Sequence, residues 1–325
     1  MCLIIFDWRP DAQAAGAARF TLAANRDEFF SRAATPMDWW QDAPQVLAGR
    51  DLQGGGSWLG LHRDGRFAAL TNYRAPAEMQ LGGPSRGRLV ADFLTGPGLA
   101  PLAYLQQLAL STDYGRGAQA HADASITPGV GPTVGSNPKP DAMPSSMRGF
   151  NLLVGDLIKG ELAYYSNRAN APPRLLPAGC YGLSNALLDS DWPKVKAKKS
   201  ALQDILDQGE PESAVTVGSA TAVRSGAIAD SCRLDALLAM MHDTCEAPDS
   251  ALPDTGLTLE RERALSAAYI VSPDYGTRCT TVLQLSRSGR IDIVERGDSQ
   301  ADGSRAIPDG HLSRYSFQLG TPSSD

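Results

Sequence analysis

Short apolar runs broken by turn residues, more than long amphipathic stretches, set the pattern of this chain. Cys2-Leu3-Ile4-Ile5-Phe6 opens it, and Asp7, Trp8, Arg9, Pro10 and Asp11 close that run. A short apolar run bounded by breakers reads as a buried strand. Residues 18–24 form a second run that ends in Asn25-Arg26-Asp27-Glu28. The polar, alanine-rich connector between the two predicts a hairpin. Phe29, Phe30, Trp39 and Trp40 fall in a stretch that Pro36 and Pro44 make irregular. Residues 46–51 lead to a glycine turn, Gly54-Gly55-Gly56. Residues 57–62 and 66–73 then flank Asp64-Gly65, a strong two-residue hairpin signal.

The period changes after Gly87. Residues 87–94 and 99–110 read as helices, the second with Leu102, Leu105, Leu108 and Ala109 on one face. Residues 112–147 are rich in Gly, Pro, Ser and Ala and nearly empty of large apolar residues, which predicts a long surface loop or insertion. Strands resume at 150–155 and 161–166 around Lys159-Gly160, and again at 179–185. A helix is expected over 191–207, with Pro193 in its first turn, and another over 230–243. Residues 209–229 and 246–257 read as links. The last strands are expected at 267–271, 280–285, 291–295 and 313–318, with Ser288-Gly289 turning the middle two. Antiparallel hairpins with grouped helices indicate an α+β fold of two stacked sheets with helices outside. No boundary leaves the first strands able to bury their own faces, so a single domain over 1–325 is expected.

Composition narrows the function classes. The 325 residues carry 30 basic and 36 acidic side chains, a net charge of −6, which argues against a nucleic-acid partner. No apolar run reaches the length of a membrane span, and the N-terminal run is too short and lacks the basic lead of a signal peptide. The five cysteines, Cys2, Cys180, Cys232, Cys245 and Cys279, are scattered and odd in number. They fit reduced thiols in a cytoplasmic protein. The four histidines stand far apart, so neither a metal site nor a cofactor is expected.

Cys2 is the first chemical candidate. Removal of Met1 would leave a cysteine whose own α-amine, with a pKa of roughly 7.7–8.0, can take its thiol proton. The alternative is a buried cysteine behaving as a small hydrophobe. Asn25 to Glu28 end the neighbouring strand. By strand alternation Asn25 and Asp27 face one way, Arg26 and Glu28 the other, and either pair is a candidate to face Cys2. A nearby arginine would favour the thiolate. Asn72 and Asn185 end further strands, as turn formers or as amide donors to an oxyanion. Arg278 opens another strand. No G-x-S-x-G elbow is present, since Gly182-Leu183-Ser184-Asn185-Ala186 lacks the last glycine.

Met1-Cys2-Leu3-Ile4, Ala24 to Glu28, Ala48 to Asp51, Gly55 to Gly60, Leu70 to Arg74, Phe150 to Asp156, Gly182 to Asn185 and Tyr275 to Arg278 run in order along most of the chain. This block pattern resembles the NRDE family, also called the transport-and-Golgi-organisation-2 family. That family is in turn similar to N-terminal nucleophile hydrolases, especially the penicillin acylase and bile-salt hydrolase branch. The resemblance implies a four-layer α-β-β-α sandwich with Cys2 as nucleophile, supported by Arg26 and Asp27, by Asn72 and Asn185, and by Arg278. Asn25, Glu28 and Trp58 are expected to touch the ligand. One departure stands out: the hydrolases space their Arg and Asp as R-x-x-D, whereas Arg26 and Asp27 are adjacent, and that frame would fall on Asn25 and Glu28. The implied activity is hydrolysis of a linear C–N bond or thioester of an apolar acyl compound. The alternative is a carrier of haem or an acyl lipid in the same pocket, since eukaryotic members are linked to lipid metabolism, haem trafficking and secretory-pathway organisation. Trp39, Trp40 and Trp58 would suit an apolar ligand, although core packing explains tryptophans equally well.

Overall fold

The computed structural model describes residues 2–12, 17–78, 83–208 except 121–146, 232–297 and 311–320; for 112–120 only the backbone is described. All strand pairing is antiparallel and gathers into two sheets. The first holds β1 (Cys2–Trp8), β2 (Phe20–Phe29), β10 (Gly179–Leu183), β11 (Tyr275–Leu285), β12 (Arg290–Gly297) and β13 (Leu312–Gln318), in the order β10-β1-β2-β11-β12-β13. The second runs in chain order from β3 (Ala34–Trp39) through β4 (Val46–Asp51), β5 (Leu59–His62), β6 (Arg66–Asn72), β7 (Phe150–Asp156) and β8 (Glu161–Ser166) to β9 (Arg174–Leu175).

Side-chain alternation builds the layers. On β1, Cys2, Ile4, Phe6 and Trp8 point between the sheets, where they meet Phe20, Leu22, Phe67, Leu153 and Leu283. Leu3 and Ile5 point the other way, onto α3 (Pro193–Asp207) and α4 (residues 232–241), through Val195, Leu202, Leu237 and Met241. The far face of the second sheet is covered by α1 (Gly87–Thr95) and α2 (Pro101–Ala120), through Leu89, Phe93, Leu105 and Leu108. The result is an α-β-β-α sandwich of two stacked antiparallel sheets. A strand buried on both faces reads as a continuous apolar run, which is why Cys2 to Phe6 shows no alternation in sequence.

The three glycine turns fall where expected. Gly65, Gly160 and Gly289 all take positive φ, at 96°, 72° and 85°, a region closed to most side chains. Other expectations need correction. Pro36 lies in a strand after all: β3 is a sheet edge with a register shift between Thr35 and Asp38, where a missing N–H breaks no ladder. Residues 267–271 form no strand; only Val271 makes an isolated bridge, to Gly276, and β11 begins earlier, at Tyr275. α2 continues to Ala120, well into the expected insertion, while 121–146 lie outside the described residues. Met147, at the end of that segment, is buried in the core under α1 and α2. The whole of the expected link 209–229 is likewise outside the described residues. A short helix, α5 (Leu259–Ala264), follows the 246–257 link, capped by Thr258.

Candidate functional site

A cleft opens where β1, β2 and β11 end together. Cys2 on β1 lies opposite Arg26 on β2, and Arg26 lies opposite Cys279 on β11. The three side chains therefore form one row across neighbouring strands, and all line the same cavity, whose free space is about 90 Å³. Alternation settles which pair faces Cys2. Arg26, directly opposite Cys2, and Glu28 line the cavity from the inner side of β2, and Asp27 between them also contributes to its wall. Asn25 is turned outward and fully buried: its Nδ2 donates to the carbonyls of Met241 and Ala268, and its Oδ1 accepts from the Thr280 hydroxyl. Asn25 therefore ties the sheet to the outer layer and does not reach the cavity.

A bulge places the next residues. The register of β11 against β2 shifts between Thr277 and Cys279, so Arg278 is the extra residue. Inserting one residue reverses the facing of what precedes it. Thr277 thus joins Asp27 on the outer side, where its hydroxyl donates to Asp27 Oδ1 at 2.7 Å. Arg278 Nη1 donates to the carbonyls of Phe29, Phe30 and Arg32. Arg278 is absent from the cavity wall: its side chain fastens the turn after β2, and the expectation that it lies beside the sulfur is corrected on this point.

The two asparagines are adjacent but not equivalent. Asn72, at the end of β6, lines the cavity. Asn185 is fully buried, and its Nδ2 donates to the Asn72 carbonyl at 2.8 Å. Its neighbour Ser184 donates to the Cys2 carbonyl. Asn185 therefore props Asn72 rather than presenting its own amide to the cavity. Of the three tryptophans only Trp58 reaches the cavity. Trp40 packs under α1 with its Nε1 on the Ala48 carbonyl, and Trp39 lies under Arg63 against Tyr315 and Phe317.

Electrostatics here is dominated by burial. Burial pushes the Cys2 thiol up, Asp27 adds to the rise, and the positive amino terminus, Arg26 and the Asp27 backbone N–H only partly oppose it. The expected fall of this thiol's pKa is therefore corrected to a rise, because desolvation outweighs one neighbouring guanidinium. Cys279 is driven well above the ordinary thiol value by burial and by Glu295. Burial also raises Asp27, against the pull of Lys194. Lys194 itself is lowered to about 8 by burial, with Asp27 holding it partly up. Glu28 ends below its usual value: burial raises it, but the amino terminus, Arg26, the Phe29 N–H and Arg32 together win.

Several of these residues gave no sequence signal of a site. Arg86, Arg148, Glu295 and Cys279 line the cavity from positions far apart in the chain. Arg86 sits at the start of α1, brought in by a close backbone approach. A Cβ on Gly56 would lie 2.3 Å from the Gly87 carbonyl carbon, and the Ser57 N–H donates to the Gly87 carbonyl. A second cavity of about 230 Å³ shares Glu28, Arg32, Asn72, Arg86 and Arg148 with the first and extends it toward Arg74 and Tyr275. Among the described residues no cluster of three or more metal-ligating side chains occurs, and no helix is long and apolar enough to cross a membrane.

The sandwich and its cleft define an α+β protein with a cysteine at the inner end of a buried strand, facing an arginine. The family model described as Transport and Golgi organisation 2 matches residues 1–299, and the chain belongs to that family. It is 31% identical over 315 residues to the Transport and Golgi organization protein 2 homolog of Bos taurus, covering 94% of this chain and 96% of that one. Against the Homo sapiens homolog the identity is 30% over 311 residues, covering 93% and 95%. Among solved structures, the C2A variant of a conjugated bile acid hydrolase from Clostridium perfringens aligns over the whole of both chains. Its identity is 11% and its TM-score 0.33, a likeness that establishes neither fold nor chemistry.

Proposed function

We propose that this protein is a cysteine N-terminal nucleophile amidohydrolase, acting on an amide or thioester of an apolar acyl compound in the cytoplasm. The observation that carries the reading is the position of Cys2: it starts β1 on the wall of a cleft, with Arg26 directly opposite and the Asp27 N–H on its sulfur. After removal of Met1, the Cys2 amine takes the thiol proton as the sulfur attacks the acyl carbonyl. The same amine returns that proton to the leaving amine or thiol, and water then cleaves the acyl-enzyme thioester. Asn72 donates to the oxyanion with Asn185 behind it, and such a donor is worth roughly 3–4 kcal/mol at its best. Asp27 holds the α-ammonium, and Arg26 draws the thiol toward its anion. Arg278 contributes by fixing the turn after β2, and Trp58 gives the acyl chain an apolar wall.

Intact-mass measurement of the purified protein, followed by treatment with an acyl electrophile, tests this. Loss of Met1 and a single adduct abolished by Cys2→Ala are the expected results. Retained Met1 would end the mechanism, because the base would then be absent.

One observation favours a second reading, a non-catalytic carrier of an acyl lipid or haem. Burial pushes the Cys2 thiol up, away from the thiolate that a nucleophile needs. Haem fits this cleft poorly. The free spaces of about 90 and 230 Å³ are each below the roughly 300–1,000 Å³ of ordinary ligand pockets, and among the described residues no histidine lines either. An acyl lipid is the better cargo, and its recovery by mass spectrometry with Met1 retained would establish the carrier.

A further inference from the structure

We infer that the cleft contains a subsite for a small oxyanion, a carboxylate or a phosphate carried by the ligand, formed by Arg26, Arg86, Arg148 and the first turn of α1. The inference rests on the reading of the Cys2 cleft as the ligand site and adds the chemical class of what enters it. Arg26 is 8% exposed, yet its Nη1 is buried without a hydrogen-bond partner among the described residues. Arg148 Nε is in the same condition. Among the described residues no carboxylate lies within ion-pair distance of Arg26, Arg86 or Arg148. The four lining carboxylates have other partners: Asp27 the Thr277 hydroxyl, Asp51 Arg32 at 2.6 Å, Glu295 the Met37 N–H and the Thr281 hydroxyl, and Glu28 the Phe29 N–H.

A buried guanidinium without a partner is costly, and a bound oxyanion offsets that cost through charge-assisted, geometrically matched hydrogen bonds. The crowding of like charge is visible at Arg86, lowered to about 10 by burial and by Arg148, although its Nη1 does reach the Gly149 carbonyl. At the start of α1 the Arg88 and Leu89 N–H groups are taken by the Ser85 and Arg86 carbonyls, so its contribution comes from the N–H groups of Arg86 and Gly87 and from the end of the helix dipole. Its cap residue is Arg86, which makes no side-chain capping bond, and Ser85 to Gly87 line the cavity. Such a terminus favours anions. Arg26 stands one strand away from Cys2, about 5 Å between backbones, so the anion lies close to the sulfur. The free space beside the sulfur, about 90 Å³, limits the group there to a small one.

The test compares alkylation of Cys2 by anionic iodoacetate and neutral iodoacetamide in the full-length protein, with peptide mapping. Exposed Cys232 serves as the internal reference. A cationic cleft enriches its counter-ion, so the iodoacetate-to-iodoacetamide ratio should be about tenfold or more higher at Cys2 than at Cys232. Arg148→Gln, which breaks no hydrogen bond of its guanidinium among the described residues, should bring the ratio down toward that of Cys232. Sodium phosphate and sodium acetate are then added as competitors, with sodium chloride at matched ionic strength as the control. Suppression by phosphate identifies a phosphate ligand, and suppression by acetate a carboxylate. Equal ratios at the two cysteines, or equal suppression by chloride, overturn the subsite.

If Cys2 resists both reagents, thermal unfolding decides. Phosphate or acetate should raise the wild-type midpoint by about 2 °C over chloride and leave Arg148→Gln unmoved. No difference from chloride overturns the proposal. Retained Met1 would defeat the hydrolase reading while leaving the labelling ratio intact. A Cys2 acyl adduct with equal ratios would defeat the oxyanion subsite alone.

Discussion

The two ends of the same inter-sheet layer are built on opposite principles. At one end Phe6, Trp8, Phe20 and Phe67 are fully buried and meet edge to face, with ring centroids 5.3–6.0 Å apart. At the other end the same strands β1 and β2 carry Cys2, Arg26, Asp27 and Glu28, and Lys194 and Glu262 are buried close by. Burial of the aromatic end stabilises the fold, at roughly 25 cal/mol per Å² of apolar surface removed from water. Burial of the charged end costs free energy unless each charge finds a partner. The aromatic end holds the sandwich together, and the charged end is strain that the rest of the fold supports. Sites that act on ligands are commonly less stable than their surroundings for this reason.

The contrast can be broken at its strongest point first. Phe20→Ala empties the aromatic end and should lower the unfolding free energy by about 3–5 kcal/mol, read from urea denaturation. A loss under about 1 kcal/mol would mean that the layer is loosely packed. Glu262→Leu tests the charged end where its pairing is good. Arg74 Nη1 donates to Glu262 Oε2 at 2.6 Å, both side chains are 5% exposed or less, and Thr255 donates to the same carboxylate. Stranding Arg74 should also cost about 3–5 kcal/mol, with more lost at the charged end than isosteric packing recovers.

Lys194 gives the comparison a pH axis. Its Nζ donates to the Leu265 carbonyl, and its folded pKa is about 8. The unfolded lysine keeps its proton up to about 10.4, so between those values the unfolded chain binds more protons than the folded one. Stability from this group therefore rises with pH through that window. Wild type should gain about 3 kcal/mol at most on Lys194→Met as pH goes from 7.5 to 10.5, followed by urea midpoints. A parallel pH dependence for the two proteins would show that Lys194 carries no penalty. The smallest effect has the opposite sign to the first. Arg26→Met replaces an unpartnered guanidinium nitrogen by apolar bulk and should raise stability by about 0.5–2 kcal/mol. Destabilisation instead would mean that the cleft walls already compensate Arg26.

Much of the aromatic end was legible in the chain. Cys2 to Phe6 and residues 18–24 are the hairpin the pattern predicted, and β7 and β8 surround Lys159-Gly160 as expected. Local chemistry failed where tertiary context overrode it. Pro36 spoke against a strand but sits on an edge with no ladder bond to lose. The apolar run 267–271 spoke for one, yet its backbone is held by Asp243 after α4 and by a single bridge and Thr277 at the start of β11, not by a ladder. Backbone N–H groups of Tyr269 and Ile270 go to the Asp243 carbonyl and the Thr277 hydroxyl.

By itself, the sequence determined the layers: period-two and continuous apolar runs, glycine turns and helical stripes depend only on neighbours a few residues away. It also placed Cys2 and Asn72 at strand ends, but the Asn25 to Glu28 segment, expected after a strand, lies within β2, whose pairing with β11 carries it on to Phe29. Only the tertiary structure decided that Arg26 rather than Asn25 faces Cys2. That choice depends on which side of β2 meets the second sheet and which meets α3 and α4. The single extra residue at Arg278 turned Thr277 toward Asp27 and sent the arginine to the turn after β2, a one-residue shift that no periodicity announces. Arg86, Arg148 and Glu295 join Cys2 from distances of 84 to 293 residues along the chain, through a close Gly56–Gly87 backbone contact and the stacking of two sheets. Burial, which raises the Cys2 thiol where a lone arginine would lower it, is a property of that stacking and of nothing nearer in sequence.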